Sequence, residues 1–360
     1  MRNHDVTIAK ALAIILMVLG HAGGPELLNN YLSLMRMPLF FFMSGYCFKN
    51  SYLDDSKTYM RKRIKGVYWP YVKWTLVFVL FHNVFFKIGI YNDTFLYNGH
   101  LMHEYTITET LRKMFDGALM RGTERLLGGF WFLKSLFYGG IIFYAAKRFI
   151  SNAWIGALLL LVITFLFAYF HVQLPLLLIV SRDFFAAFFI MTGYIAKNTS
   201  VKGSSLSDII IANKSVIIIF ALCIGVGCVY WPTSMLFYQW HQVIPYATTA
   251  IMGTFVLFSI GHFLNANCNG FLRDFLIYTG GYTFNVLTWH FLSFKVVTLL
   301  IIVIYNLPMS HLGDFPVVDI YASKGWWILY VMTGVTLPLA WKYVTTTWVK
   351  RIIQIHKHNG

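Results

Sequence analysis

The chain has 360 residues, 58% hydrophobic and only 12% charged, with a mean hydropathy of +0.62. A water-soluble chain carries about twice that share of charge, so a soluble globular fold is excluded and a multi-pass membrane protein is indicated. The formal charge of +15 does not point to nucleic acid, because Lys and Arg cluster between apolar stretches, where they set topology and meet anionic lipid or a phosphorylated ligand.

A bilayer-spanning helix needs about 20 apolar residues. On that measure ten spans are predicted, near 6–24, 30–48, 67–88, 129–147, 152–171, 176–196, 214–231, 245–264, 277–304 and 326–348. The first has no cleavage-like site and reads as a retained helix, not a signal peptide. The ninth is long enough to hide a break. The expected fold is all-α: ten transmembrane helices around an intramembrane cavity, with 1–360 forming one domain.

The first span carries Lys10 and His21, two expensive groups in an apolar setting. At about 100° per residue, eleven positions bring His21 to within roughly 20° of Lys10 and about 16 Å along the axis. One helix face thus holds a cation near one membrane surface and an imidazole near the other. Gly23 and Gly24 follow, where backbone can approach a ligand closely. A neutral imidazole can take a proton from a hydroxyl; the other reading of His21 is a satisfied core group.

The second span contains Arg36, Pro38, Ser44 and Gly45. Pro38 lacks a backbone donor and Ser44-Gly45 is a small pair, so this span is expected to bend. Ser44 has no Gly-x-Ser-x-Gly elbow and is not expected to be a nucleophile. Arg61, Lys62, Arg63 and Lys65 follow, either as a topology signal or as a cradle for the phosphates of a nucleotide-bearing donor.

Basic residues fill this loop, Lys147-Arg148, Lys197 with Lys202, Arg273, and the tail at Lys350, Arg351 and Lys357. The alternate loops at 172–175 and 232–244 carry no Lys or Arg. The positive-inside rule then places both termini in the cytoplasm, with Asp54 and Asn359 inside and Asn98 outside. The long segment 89–128 is outward despite its own cations. Within it Thr106-Ile-Thr-Glu109 forms a capping-box pattern, and Leu111, Met114, Phe115, Ala118 and Leu119 follow at helical spacing. An amphipathic helix lying on the surface or lidding a cavity is predicted. Cys47, Cys223, Cys228 and Cys268 have neither zinc nor redox spacing, so no metal site is expected and they read as buried thiols.

The order of these motifs resembles membrane acyltransferase family 3, and most closely its fucose 4-O-acetylase-like branch. Lys10-x10-His21 resembles the family's basic-residue-x10-His signature, and Met37-Pro-Leu-Phe-Phe-Phe-Met-Ser-Gly-Tyr46 its PLFFFxSGY block. Arg63 to Tyr71 resembles its Arg-rich loop leading into Pro-Tyr, and Trp131-Phe-Leu133 its WFL element. Arg182 with Phe188-Phe-Ile-Met-Thr-Gly-Tyr194 resembles its Arg and small-residue helix, and Tyr282-Thr-Phe-Asn285-Val-Leu-Thr-Trp-His290 its late SYxxYLxH element. The chain departs from the branch at Arg36, where the branch has His, at Gly66, where it has a second Arg, and at Thr7, where it has Asp.

The resemblance implies a multi-pass protein of the bacterial inner membrane that moves an acetyl or similar group from acetyl-CoA, or another acyl-CoA, to a hydroxyl of a glycan or other acceptor. It implies His21 as the catalytic residue. Lys10, Arg36, Ser44, Gly45 and the basic loop residues Arg61, Lys62, Arg63 and Lys65 are expected to contact substrates, as are Trp131, Arg182, Asn285 and His290. A glycan transporter or flippase is the competing reading, because intramembrane cations and kinked spans suit it as well. A glycan-binding membrane sensor is a third.

Overall fold

The computed structural model describes residues 4–93, 96–97, 100–201 and 203–358, and for 96–97, 100–101 and 348–358 only the backbone. Lys202, Asn98 and Asn359 lie outside the described residues, as do the side chains of Lys350, Arg351 and Lys357.

Helix α1 (His4–His21) forms over an unbroken run of Ala, Leu, Ile and Met. It stops just after His21 because Gly23 adopts a φ of 71°, a left-handed C-terminal stop that favours glycine. The second expected span does not form one helix. It divides into α2 (Glu26–Ser33) and α3 (Pro38–Tyr46), with Pro38 opening the second piece. Proline has no N–H to continue a helix, and its fixed φ suits a first turn, so the expected bend falls here.

The third span is likewise assembled from pieces: α4 (Ser56–Arg63), a π-helical turn at Ile64–Tyr68, α5 (Trp69–Leu80) and α6 (His82–Lys87). Pro70 cannot donate to the carbonyl four residues back, that of Gly66, and its ring crowds that oxygen. The helix widens by one residue to relieve the clash. Two short hairpins, β1 (Leu96–Tyr97) with β2 (His100–Leu101) and β3 (Ser200–Val201) with β4 (Ser204–Ser205), occupy loops.

The 89–128 segment contains α7 (Ile107–Ala118), started by the expected capping box: Thr106 and Glu109 satisfy each other's backbone N–H groups. Beyond it lie α8 (Trp131–Phe149), continuing a 3-10 turn over Arg125–Phe130, then α9 (Ala153–Tyr169) and α10 (Ser181–Asn198). Next come α11 (Leu206–Ala212) and α12 (Lys214–Tyr230), bent by 86° about Asn213, and α13 (Val243–Asn267). The ninth span does contain a break, at Tyr282, between α14 (Phe271–Gly281) and α15 (Thr283–Tyr305). The short α16 (Asp319–Tyr321) precedes α17 (Trp327–His358), which runs through Pro338.

The protein is thus all-helical. Among the described residues, four helical stretches are long and apolar enough to cross a bilayer alone: His4–His21, Arg125–Phe149, Trp240–Asn267 and Thr283–Tyr305. The bent pair α11–α12 meets the same length and composition taken together, as a broken span or a re-entrant loop. The other segments expected to span are occupied by helices that are shorter or more polar.

Helix α1 is central, packed by α13 and α14 and touching α15 and α17. The other dense contact is α10 against α3, α8 and α9. At its heart two glycines interlock. A Cβ on Gly45 would lie 1.7 Å from the Ile190 carbonyl oxygen, and one on Gly193 would lie 1.9 Å from that of Phe42. Small residues let helix backbones touch where no water drives association. The Ser-Gly and Thr-Gly motifs, 148 residues apart in sequence, are two sides of one crossing. The thiol expectation is corrected: Cys228 is buried, but Cys47 and Cys223 are exposed and Cys268 is half-buried. In a membrane protein the apolar surface also faces outward, so an apolar stretch does not fix which way a cysteine points.

Candidate active site

Three cavities lie end to end through the helical bundle. The first, about 320 Å³, is lined on one side by Val6, Lys10, Ile14 and Met17 of α1 and on the other by α3, Gly66, Val67 and α8. The second, a middle chamber of about 260 Å³, shares Met17, Met37 and Leu287 with the first and is lined by Gly20, His21, Arg36 and Trp131. The third, a vestibule of about 790 Å³, shares Trp131, Leu236 and Phe237 with the chamber and extends under α7. A single face of α1 therefore carries Lys10 to one compartment and His21 to the next, as the eleven-residue spacing requires.

His21 reaches the chamber from the last turn of α1. Behind it stands His290 on α15, with ring centroids 5.6 Å apart, and Phe291 at 5.0 Å. His290 is fully buried. Its Nδ1 lies 3.1 Å from the Val286 oxygen and 3.0 Å from that of Leu287. A carbonyl only accepts, so Nδ1 carries the proton and Nε2 presents a lone pair. That Nε2 has no hydrogen-bond partner among the described residues. Gly129 makes room beside it, since a Cβ there would lie 2.9 Å from the Leu287 side chain and 3.9 Å from the His290 ring.

Arg36 lies across Gly20, one residue before His21. A Cβ on Gly20 would fall 1.8 Å from Arg36 Nη1, so only glycine leaves the guanidinium its place. Nη1 is buried and meets no acceptor among the described residues. A buried guanidinium nitrogen left without a partner is costly, and this one lines an open chamber where an anion would satisfy it.

The basic loop divides by burial. Arg61, Lys62 and Lys65 are exposed and close in sequence to Gly66, which lines the first cavity; Lys62 Nζ donates to the Tyr52 hydroxyl at 2.8 Å. Arg63 turns inward. Its Nε donates to Tyr59 Oη at 2.9 Å, Nη2 to Ser44 Oγ at 2.8 Å and Nη1 to the Leu136 oxygen at 3.4 Å. Gly140 gives it space. Arg63 thus ties α4 to α3 and α8, and Ser44, which also lines the first cavity, is its acceptor.

Arg182 and Trp131 meet at the mouth between chamber and vestibule, the guanidinium 4.9 Å from the indole ring. Gly45 sits in the crossing with α10, and Asn285, on the first turn of α15, lines none of the three cavities.

Sequence reasoning missed several groups. The turn at Ser234–Phe237, read only as an uncharged loop, walls the chamber. His82 and Glu124 form a buried pair at 2.8 Å, and His82 Nε2 donates to the His103 oxygen at 2.9 Å. Lys295, buried in α15, donates to the Leu312 and Asp314 oxygens at 2.9 and 2.6 Å and holds the following loop against its own helix. The partners of each are remote in sequence or are backbone atoms, so no local pattern marks them. Gly20 and Gly129 did carry a signal, a glycine adjoining or near a motif residue.

The fold and these cavities define a multi-pass integral membrane protein with a histidine-bearing chamber between two wider compartments. A family model described as an acyltransferase domain, family 3, matches residues 3–345. The chain belongs to the acyltransferase 3 family, and its activity is acyl transfer. No curated protein and no solved structure matches it.

Proposed function

We propose that the chain moves an acetyl or similar short acyl group from cytosolic acyl-CoA to a hydroxyl of a glycan, with His21 as general base. The observation that carries this reading is the alignment of the three cavities, with His21 and Arg36 in the narrow middle one. The CoA phosphates meet Arg61, Lys62 and Lys65, and the pantetheine arm runs through the first cavity past Lys10. The acceptor enters through the vestibule past Trp131 and Arg182. Both termini and the basic loop lie in the cytoplasm on a ten-span topology, and the vestibule opens on the opposite face. The motif blocks favour the fucose 4-O-acetylase-like branch and a bacterial inner membrane.

In this mechanism the acceptor hydroxyl gives its proton to His21 as its oxygen attacks the thioester carbonyl. The tetrahedral oxyanion forms beside Arg36, whose unpartnered nitrogen supplies a charge-assisted donor. The C–S bond breaks, and the proton on His21 passes to the thiolate to release CoA. His290, holding its own proton on Nδ1, keeps Nε2 as an acceptor open to the incoming hydroxyl.

Purified protein should release CoA from acetyl-CoA in the presence of acceptor. His21→Gln should retain acyl-CoA binding and lose about 10²–10⁴ in kcat, the usual worth of a general base. A transporter uses the same line of cavities and would release no CoA. Near-normal turnover per folded His21→Gln molecule would end the catalytic assignment.

A further inference from the structure

We infer that the vestibule is a binding site for a negatively charged sugar, so that the acceptor is an anionic glycan carrying carboxylate or phosphate; this rests on the acyltransferase reading above. Six cations line the vestibule (Arg112, Lys113, Arg121, Arg125, Lys134 and Arg182) against three carboxylates. Each carboxylate already has a local partner. Glu109 is held by the α7 cap and His103, Asp116 faces Arg121 at 3.5 Å, and Glu124 is paired with His82. A fourth acid, Asp183, lies beside Arg182 and Lys134, and its oxygens accept from Ser135 Oγ and the Val180 N–H. Arg112, Lys113 and Arg182 line the cavity and make no ion pair among the described residues. Arg182 is the telling member, because its Nε is buried without a hydrogen-bond partner among the described residues.

The helix that carries much of this charge is turned to suit a ligand. Ile107, Leu111 and Phe115 of α7 point away from the protein, at 82%, 62% and 62% exposure, while Glu109, Arg112, Lys113 and Asp116 line the vestibule. The apolar edge is thereby left to the bilayer interface, and the polar edge is given to the cavity. Aromatic rings complete the site. Trp131, under Arg182, and Phe237, 77% exposed, stand where vestibule and chamber join. Rings offer flat apolar surface for the C–H faces of a pyranose, and the surrounding cations select its charge. A field of one sign in a low-dielectric cleft concentrates ligands of the other.

The test is calorimetric titration of the full-length protein in phosphatidylcholine nanodiscs, which removes anionic lipid. The probes are tetragalacturonate, a mannose-6-phosphate-bearing tetramannose and neutral maltotetraose, each at low and high salt. At least one anionic probe should bind about tenfold or more tighter than maltotetraose, roughly 1.4 kcal/mol, and the advantage should shrink as salt rises. Galacturonate alone would mark a carboxylate site, the phosphorylated probe alone a phosphate site, and both a general anion site. Arg112→Gln with Lys113→Gln, at exposed positions, should remove the preference without lowering the melting temperature, and Arg112→Lys with Lys113→Arg should keep it. Equal affinity for maltotetraose, no binding of any probe, or a preference untouched by the double Gln variant would overturn the inference. CoA release measured on the same preparation separates the two readings. His21-dependent release without anion preference leaves acyl transfer intact and removes only the charged acceptor; anion preference without release does the reverse.

Discussion

The first cavity and the vestibule are joined through one chamber yet built from opposite materials. Of the seventeen residues lining the first, only Lys10 carries a formal charge; of the twenty lining the vestibule, nine do. The first is walled by α3, locked onto α10 through glycines that admit no side chain, whereas the vestibule lies beneath a surface helix and a loop. The difference is what two unlike substrates crossing one barrier would need: a rigid apolar slot for a flexible arm, and a wide charged bowl for a hydrated one.

The comparison breaks most sharply at the helix crossing. Gly193→Leu should leave almost no folded protein, measured as monodisperse yield in detergent. Overpacking typically costs about 1–3 kcal/mol, and here the obstructing atom is a backbone carbonyl that cannot rotate away. Phe115→Ser on α7, at an exposed position, should fold normally. If both fold equally well, the proposed contrast in rigidity is wrong.

Between the two regions, Gly20→Ala should displace Arg36 and lower kcat by about 10²–10³, the usual cost of losing one oxyanion donor, with both KM values nearly unchanged. The arginine is the far end of a flexible side chain, so the protein should still fold. A kcat within twofold of wild type (roughly 0.4 kcal/mol) would remove Arg36 from the reaction.

Lys10→Ala should raise the KM for acyl-CoA and spare that for acceptor, and Lys10→Arg should be milder. An equal rise for both substrates would mean that the first cavity is not the donor's own. Neutralising Arg61, Lys62 and Lys65 together should raise the donor KM more modestly. The loss should mimic added salt, since exposed phosphate pairs are screened within about 8–10 Å. An unchanged donor KM would reduce these residues to a topology signal.

The smallest effect concerns the α7 cap. The Thr106 backbone N–H, then His103 and the Thr106 hydroxyl, hold the Glu109 carboxyl at about 2 against its ordinary 4.5. A depressed folded-state pKa means that the cap contributes fully above about 4.5 and is lost as pH falls through about 2. Glu109→Gln should therefore lower amide protection of α7 slightly at neutral pH, and the gap from wild type should close near pH 2. A gap that persists would assign it to shape, not charge.

The sequence by itself determined what local covalent geometry and composition control. Charge scarcity made the chain a membrane protein, Thr106 and Glu109 started α7, Pro38 broke the second span, and the period of 3.6 residues put Lys10 and His21 on one face of α1. Tertiary structure alone decided how the cations divide. Arg63 and Lys65 are two residues apart in one basic run, but the Gly140 notch and the Tyr59 hydroxyl draw the first into the bundle while the second stays in water. His290 gained its place behind His21, and Gly45 and Gly193 met, through contacts spanning 269 and 148 positions. Polar satisfaction and close packing are properties of neighbours in space, and in an all-helical bundle those neighbours come from distant turns of the chain.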